Sequence, residues 1–324
     1  MFYRRFGRTG LEISALTLGG GYVGGILVRP PEEVRLEALR RAIAAGCNWI
    51  DTAHDYGQGE SERTIGRLWP KLDPKPHVST KFRLDTRDPA SFPQQIRRML
   101  EESLARLGLD RVTLYQLHNP IAARTGDGRV SPEDVLRPGG IADVLDALRR
   151  EGRFDWIGLT ALGETPAILE ILRSGRFDSA QVYFNLLNPS AAGIHPAWGG
   201  QDFAGVLDAC RATDMGVMAI RVLAGGALAS PAPHGREVPI AADAEVEKEH
   251  ARAARLFAEL GTRYGTRAQT AIRFVLGEPR VHTLVLGFAE LAHLDEALAA
   301  FALGPLPADA APLLERIWRA PFGA

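Results

Sequence analysis

HVSTKFRLDTRDPASFPQQIRRMLEESLARLGLDRVTLYQLH, residues 77–118, carries one complete unit of the chain's organisation. It opens on a short extended run, HVSTKF (77–82), and closes on another, VTLYQLH (112–118). Between them Ile96, Leu100, Leu104 and Leu107 make one stripe at helical spacing, and Gly108 marks its stop. The segment reads strand, helix, strand. The same alternation continues outward: ALTLG (15–19) and CNWIDTA (47–53) precede it, and WIGLT (156–160), SAQVYF (179–184), GVMAIR (216–221) and VHTLVLG (281–287) follow, eight runs in all. Helical stripes recur between them, at Ile141, Val144, Leu145 and Leu148 and again at Phe203, Val206, Leu207 and Cys210. Pro31-Glu32-Glu33 signals a helix start, and Gly46, Gly152 and Gly175 signal stops. Nearly continuous apolar strands alternating with helices mean a parallel sheet covered on its faces. Eight units favour closure into a (β/α)8 TIM barrel; an open, doubly wound sheet is the structural alternative. The YRRFG, RTG and LEIS stretches predict a short N-terminal hairpin ahead of the first barrel strand. The expectation is a single domain over residues 1–324.

Composition narrows the function. With 46% hydrophobic and 24% charged residues the chain has the makeup of an ordinary soluble globular protein. A formal net charge of −1 leaves no global attraction to nucleic acid or anionic lipid, so neither is expected as a partner. No apolar run reaches ~18 residues, and the MFYRRFGRTG start lacks the apolar core of a signal peptide. A cytoplasmic location is the expectation. Cys47 and Cys210 read as buried, reduced thiols and give neither a disulfide framework nor metal-ligand spacing. Three long Pro/Gly-rich segments, 119–140, 185–201 and 222–243, follow strands and predict lids over the C-terminal face of the barrel. The closing stretch 305–324 predicts one short helix and a tail.

Polar groups gather at the strand ends. Asp51 ends the second run, with Tyr56 five residues on in DTAHDYG; Lys81 lies in STKF; His118 ends YQLH. Each alone has a plainer reading: a turn carboxylate, a solvated ammonium, a packed tyrosine, a structural histidine. Their occurrence on successive strands predicts convergence on one spot of the rim. A phenol, with a reference pKa near 10, does not exchange protons freely at neutral pH. A nearby ammonium favours the phenolate, and a carboxylate holds that ammonium in place. Such a group polarises a C=O and delivers a proton as hydride reaches carbon, with His118 orienting the oxygen.

Gly19-Gly20-Gly21-Tyr22-Val23-Gly24 spells G-x-G-x-x-G directly after a strand. In a dinucleotide-binding βαβ unit the helix opens at once to hold pyrophosphate. Here Gly25 and Pro30-Pro31 intervene, so the better reading is a barrel loop beside the pocket, with Tyr22 as a wall.

Taken together, YRRFGRTGLEISALTLGG, WIDTAHDYGQGESERTIGRLW, STKF and LYQLHNP resemble the aldo-keto reductases over essentially the whole chain. The resemblance implies a monomeric or weakly associated barrel with NAD(P)(H) lying extended across its C-terminal face, and Tyr56, Lys81, Asp51 and His118 as the catalytic set. It implies that Thr160, where the family has Ser, and Gln181 contact the nicotinamide carboxamide, that Gly21 borders the nicotinamide, and that Gly287 and Glu296 serve the adenine end. The Asn following that Ser is replaced by Ala161, and the aromatic residue that stacks on nicotinamide by Ile220 or Arg221. Ala289 and Glu290 stand where basic residues would meet the 2′-phosphate of NADP, which leans the cofactor toward NAD or dual use. RTGLEIS, DTAHDYGQGESE and VLAGGAL resemble the bacterial branch that oxidises aldoses or small cyclic aldehydes. The expected substrate is a small carbonyl compound or sugar. Asn119, Arg124, His195 and Trp198 are polar or aromatic loop residues available to bind a sugar, without a sequence feature that places them. Two other classes stay open: a redox-sensing module that binds the dinucleotide with little turnover, and a barrel lyase or isomerase.

Overall fold

The structure, a computed structural model, describes residues 1–241 and 245–320. Two short antiparallel strands, β1 (Tyr3–Arg5) and β2 (Glu12–Ser14), form the N-terminal hairpin. Eight parallel strands then close a barrel: β3 (Leu16–Gly19), β4 (Trp49–Asp51), β5 (His77–Phe82), β6 (Val112–Leu117), β7 (Phe154–Ala161), β8 (Ser179–Tyr183), β9 (Gly216–Ile220) and β10 (Thr283–Gly287). They neighbour one another in chain order, and β10 pairs with β3 to complete the ring. The open-sheet alternative is thereby excluded.

The connecting helices are α1 (Glu32–Ala44), α2 (Glu60–Leu68), α3 (Phe92–Leu107), α4 (Pro132–Leu136), α5 (Ile141–Arg150), α6 (Thr165–Arg173), α7 (Val206–Ala212), α8 (Val246–Leu260), α9 (Arg267–Leu276), α10 (Leu291–Leu303) and α11 (Ala310–Arg319). Their apolar stripes face the barrel: Ile96, Leu100, Leu104 and Leu107 on α3 are buried, as are Ile141, Leu145 and Leu148 on α5. Each such side chain contributes roughly 1.5–3 kcal/mol on burial. The stripe read from Phe203 enters early. Gly205, with φ 83°, caps a helix that begins only at Val206, and Phe203 is buried ahead of it.

The hairpin plugs the barrel floor. Phe6 is buried edge-on against Trp49, ring centroids 5.4 Å apart, in a cluster with Ile13, Leu114 and Met218. At the opposite rim the three long segments behave differently from the expectation of three lids. Segment 119–140 folds on itself. Asn119 is buried, accepts a hydrogen bond from the Leu84 amide and donates to the Leu84 and Gly128 carbonyls. Segment 185–201 is tied down by two indoles: Trp198 donates to the Leu187 carbonyl and Trp318, on α11, to the Leu186 carbonyl, each at 3.0 Å. The described part of 222–243 borders a groove across the C-terminal rim; residues 242 and 243, like the tail 321–324, lie outside the described residues.

Candidate active site

A strand end in a parallel barrel aims its last inward side chain at the C-terminal rim, and alternation puts residues i and i+2 on one face. Asp51 ends β4, Lys81 is the penultimate residue of β5, and His118 follows β6 directly. The four residues read from the sequence do come together. Lys81 is fully buried; its Nζ donates to Asp51 Oδ2 at 2.6 Å, to the Thr52 carbonyl at 2.8 Å and to the Tyr56 hydroxyl at 3.3 Å. The His118 ring stands edge-on to the Tyr56 ring, centroids 5.8 Å apart.

The electrostatics differ in one respect from the sequence reading. Burial pushes the Tyr56 phenol above its ordinary value, and the neighbouring Lys81 ammonium, pulling the other way, does not cancel it; Asp51 and Asp55 add to the rise. The phenol is therefore protonated at neutral pH. Burial alone would lower Lys81, but Asp51 and Tyr56 outweigh it and hold the ammonium above its ordinary value. Burial, with Lys81 and Arg83 nearby, drives His118 well below 6.5, so its imidazole is neutral. Its Nδ1 is buried without a hydrogen-bond partner among the described residues, 3.8 Å from Asp55 Oδ1.

These groups open on a groove of about 1200 Å³ across the rim, bordered by Gly21, His118, Thr160, Gln181, Gly287 and Glu296 among others. Pockets for compact ligands run to roughly 1,000 Å³, so this one suits an extended molecule. Two features fit a nicotinamide dinucleotide. Thr160 Oγ1 is buried without a partner among the described residues, available to a carboxamide. Gly21, lacking a side chain, leaves space over the Tyr56 ring, which a Cβ there would meet only at 3.6 Å. Gln181 borders the groove, but its Nε2 already donates to Asp51 Oδ1 at 3.0 Å, leaving its oxygen for a ligand. Glu296 lies at the far end and accepts the Thr266 hydroxyl at 2.6 Å.

Arg221, with φ 58°, lines the groove where a stacking aromatic was missing from the sequence, and Ile220 lines it too. The triple-glycine loop carries no helix. A Cβ on Gly24 would lie 2.5 Å from the Phe288 amide nitrogen, so close backbone packing requires that glycine, while Tyr22 lines the groove as expected. Asn119, Arg124, His195 and Trp198 do not border the groove. Arg124 and His195 are exposed, and Asn119 and Trp198 are buried structural residues.

Sequence reasoning missed two donors to Asp51. Ser79 Oγ donates to Asp51 Oδ1 at 2.6 Å, and Gln116 Nε2 donates to the same oxygen at 3.1 Å. Each lies two residues before a residue already singled out, Ser79 before Lys81 and Gln116 before His118, so strand alternation was the available signal. Trp49 Nε1 in turn donates to Ser79 Oγ at 2.9 Å, so a chain of hydrogen bonds runs from the floor cluster to the rim. No described helix is long and apolar enough to cross a membrane.

A family model described as the aldo/keto reductase family matches residues 15–319. The chain is 29% identical over 309 residues to the uncharacterized oxidoreductase YrpG of Bacillus subtilis (strain 168), covering 89% of this chain and 87% of that protein. It is 31% identical over 207 residues to a D-threo-aldose 1-dehydrogenase of a Pseudomonas species, covering 50% of this chain and 62% of that protein. Among solved structures, the aldo-keto reductase AKR11C1 from Bacillus halodurans, in its holo form, superposes with a TM-score of 0.74 at 20% identity, covering 100% of this chain and 98% of that one, a likeness of fold.

Proposed function

Because the chain belongs to the aldo/keto reductase family, a family of oxidoreductases, we propose that it interconverts a small carbonyl compound and the corresponding alcohol with NAD(P)(H), Tyr56 acting as general acid/base. The observation that carries the reading is the contact of Lys81 Nζ with the Tyr56 hydroxyl at 3.3 Å beside the groove. Bound in the groove, the dinucleotide supplies or accepts the hydride. Everything else is the work of the chain. Tyr56, a phenol that burial pushes above its ordinary value, gives its proton to a carbonyl oxygen as negative charge builds there. The fixed Lys81 ammonium stabilises the phenolate left behind, and Asp51 keeps that ammonium charged and aimed. Neutral His118 orients the oxygen through one ring N–H. In the oxidative direction the phenolate takes the alcohol proton back. Thr160, the free oxygen of Gln181 and the space over Gly21 would receive the nicotinamide end; Gly287 and Glu296 would border the adenine.

The polar rim near Tyr56, with Asp55, Gln58 and Arg83, supports a hydroxylated substrate, and the similarity to an aldose dehydrogenase points the same way. Glu290 borders the groove near Glu296, where it would oppose the 2′-phosphate of a bound NADP, so the reading includes NAD or dual use. A hundredfold preference for NADPH in steady-state kinetics would overturn that part. The reading also carries a monomer or weak homo-oligomer and a cytoplasmic location, the compartment that holds free nicotinamide dinucleotides. The central test is Tyr56→Phe, screened with both cofactors against aldoses, alcohols and aldehydes. Turnover should fall by roughly 10²–10⁴-fold with dinucleotide binding intact by tryptophan quenching. Near wild-type turnover in that variant refutes the mechanism.

A further inference from the structure

Gln116 is fully buried near the end of β6, in register with Lys81 on β5 and Gly158 on β7. Its carboxamide lies across Gly158: a Cβ there would come within 2.8 Å of Gln116 Cγ and 3.1 Å of its Oε1. The missing side chain of Gly158 therefore makes the room in which this amide extends toward Asp51. A carboxylate only accepts, so Nε2 is the end that meets Asp51 Oδ1, at 3.1 Å. Its Oε1 is left buried without a partner among the described residues. Leaving a buried carbonyl unsatisfied is unfavourable. The side chain is nevertheless arranged this way round, which places its donor, not its acceptor, at the centre of the barrel.

Among the described residues, Asp51 Oδ1 thus receives three strand-borne donors, from Ser79, Gln116 and Gln181, while Oδ2 receives Lys81 alone. We propose that Gln116 is a positioning residue for the proton transfer: with Ser79 and Gln181 it fixes Asp51 so that Oδ2 faces Lys81 and Lys81 faces Tyr56. The inference rests on the reading of Tyr56 as acid/base. It assigns to Gln116 no contact with substrate or dinucleotide. Without its donor, the carboxylate turns toward the remaining two, the ammonium follows, and the phenolate loses the cation that stabilises it.

The charged and titratable groups around Tyr56 are Lys81 on β5, Asp51 at the end of β4, Asp55 beside it in the loop, His118 after β6 and Arg221 after β9. Only the placement of the first two depends on Gln116. The experiment is the pH profile of kcat for alcohol oxidation in wild type, Q116M and Q116E, with dinucleotide affinity measured alongside. Q116M is nearly isosteric and removes the donor; the limb that reports phenol ionisation should move up by about one pH unit, with affinity unchanged. Q116E keeps the reach and adds an acid beside Asp51, and its limb should move at least as far upward. A limb unmoved, or moved downward, in either folded variant overturns the proposal. Tyr56→Phe run in parallel separates the two readings. If that variant still turns over, the acid/base assignment fails. If it is inactive while the Q116M limb stays in place, only the role of Gln116 fails.

Discussion

Replacing Lys81 by Met tests the wiring of the site through stability as well as rate. The ammonium is fully buried and makes three polar contacts, at 2.6, 2.8 and 3.3 Å. K81M fills much the same space and leaves Asp51 a carboxylate in the barrel interior with no counter-ion. Breaking a buried pair costs roughly 3–5 kcal/mol. Asp51 Oδ1 keeps its donors from Ser79, Gln116 and Gln181, which places the loss near the low end, about 3 kcal/mol. With an unfolding entropy of about 2.1 cal/mol/K per residue over 324 residues, Tm falls by about 4 °C. The phenol loses the ammonium that pulls its pKa down, and turnover falls by roughly 10²–10⁴-fold. The diagnostic variant is D51N/K81M, in which no lone charge remains. It should be about 1–2 kcal/mol more stable than K81M, a non-additivity measurable by urea unfolding of the full cycle. Wild-type stability in K81M, or a double variant that simply sums the two single losses, refutes the reasoning.

Acid should weaken the fold before carboxylates titrate. Burial, with Arg4 and Arg5 adding to it, lowers His282 from 6.5 to about 4, and its Nδ1 accepts the Val217 amide. Between those values the unfolded chain binds a proton that the native state refuses, so stability falls as pH drops through that window. H282N retains an acceptor but cannot titrate; urea midpoints at pH 7 and 5 should differ less than in wild type, and equal slopes would remove His282 as a cause. At Gly21 the expectation is graded. G21A adds a methyl at ordinary contact distance from the Tyr56 ring and should bind dinucleotide as wild type does, whereas G21L fills the groove and should weaken binding at least about tenfold. Equal affinity of G21L and wild type would place the ligand elsewhere.

The strands were legible because a strand covered on both faces is apolar nearly throughout, and its length separates it from a helix. The rim chemistry was legible for the same reason: Lys81 and His118 stand out at the ends of apolar runs. Gln116 did not, since one amide inside VTLYQLH reads as an edge or spacer until its partner on β4, 65 residues away, is known. Loop length was a poor guide. Segment 185–201 is long, yet its backbone is fixed by an indole on α11, 132 residues distant for the Leu186–Trp318 pair, and no local pattern announces such a tie. The acidity of Tyr56 likewise depended on burial competing with Lys81, a balance of magnitudes that residue types alone do not settle.

Among the described residues, every side chain that grips Asp51 belongs to a strand: Ser79 and Lys81 to β5, Gln116 to β6, Gln181 to β8. The framework that aims the Lys81 ammonium is therefore part of the chassis, while Tyr56, in the connection after β4, and His118, just past β6, ride on the segments bolted on above it. An exchange of the upper parts that spares those two positions leaves the chassis beneath them unchanged.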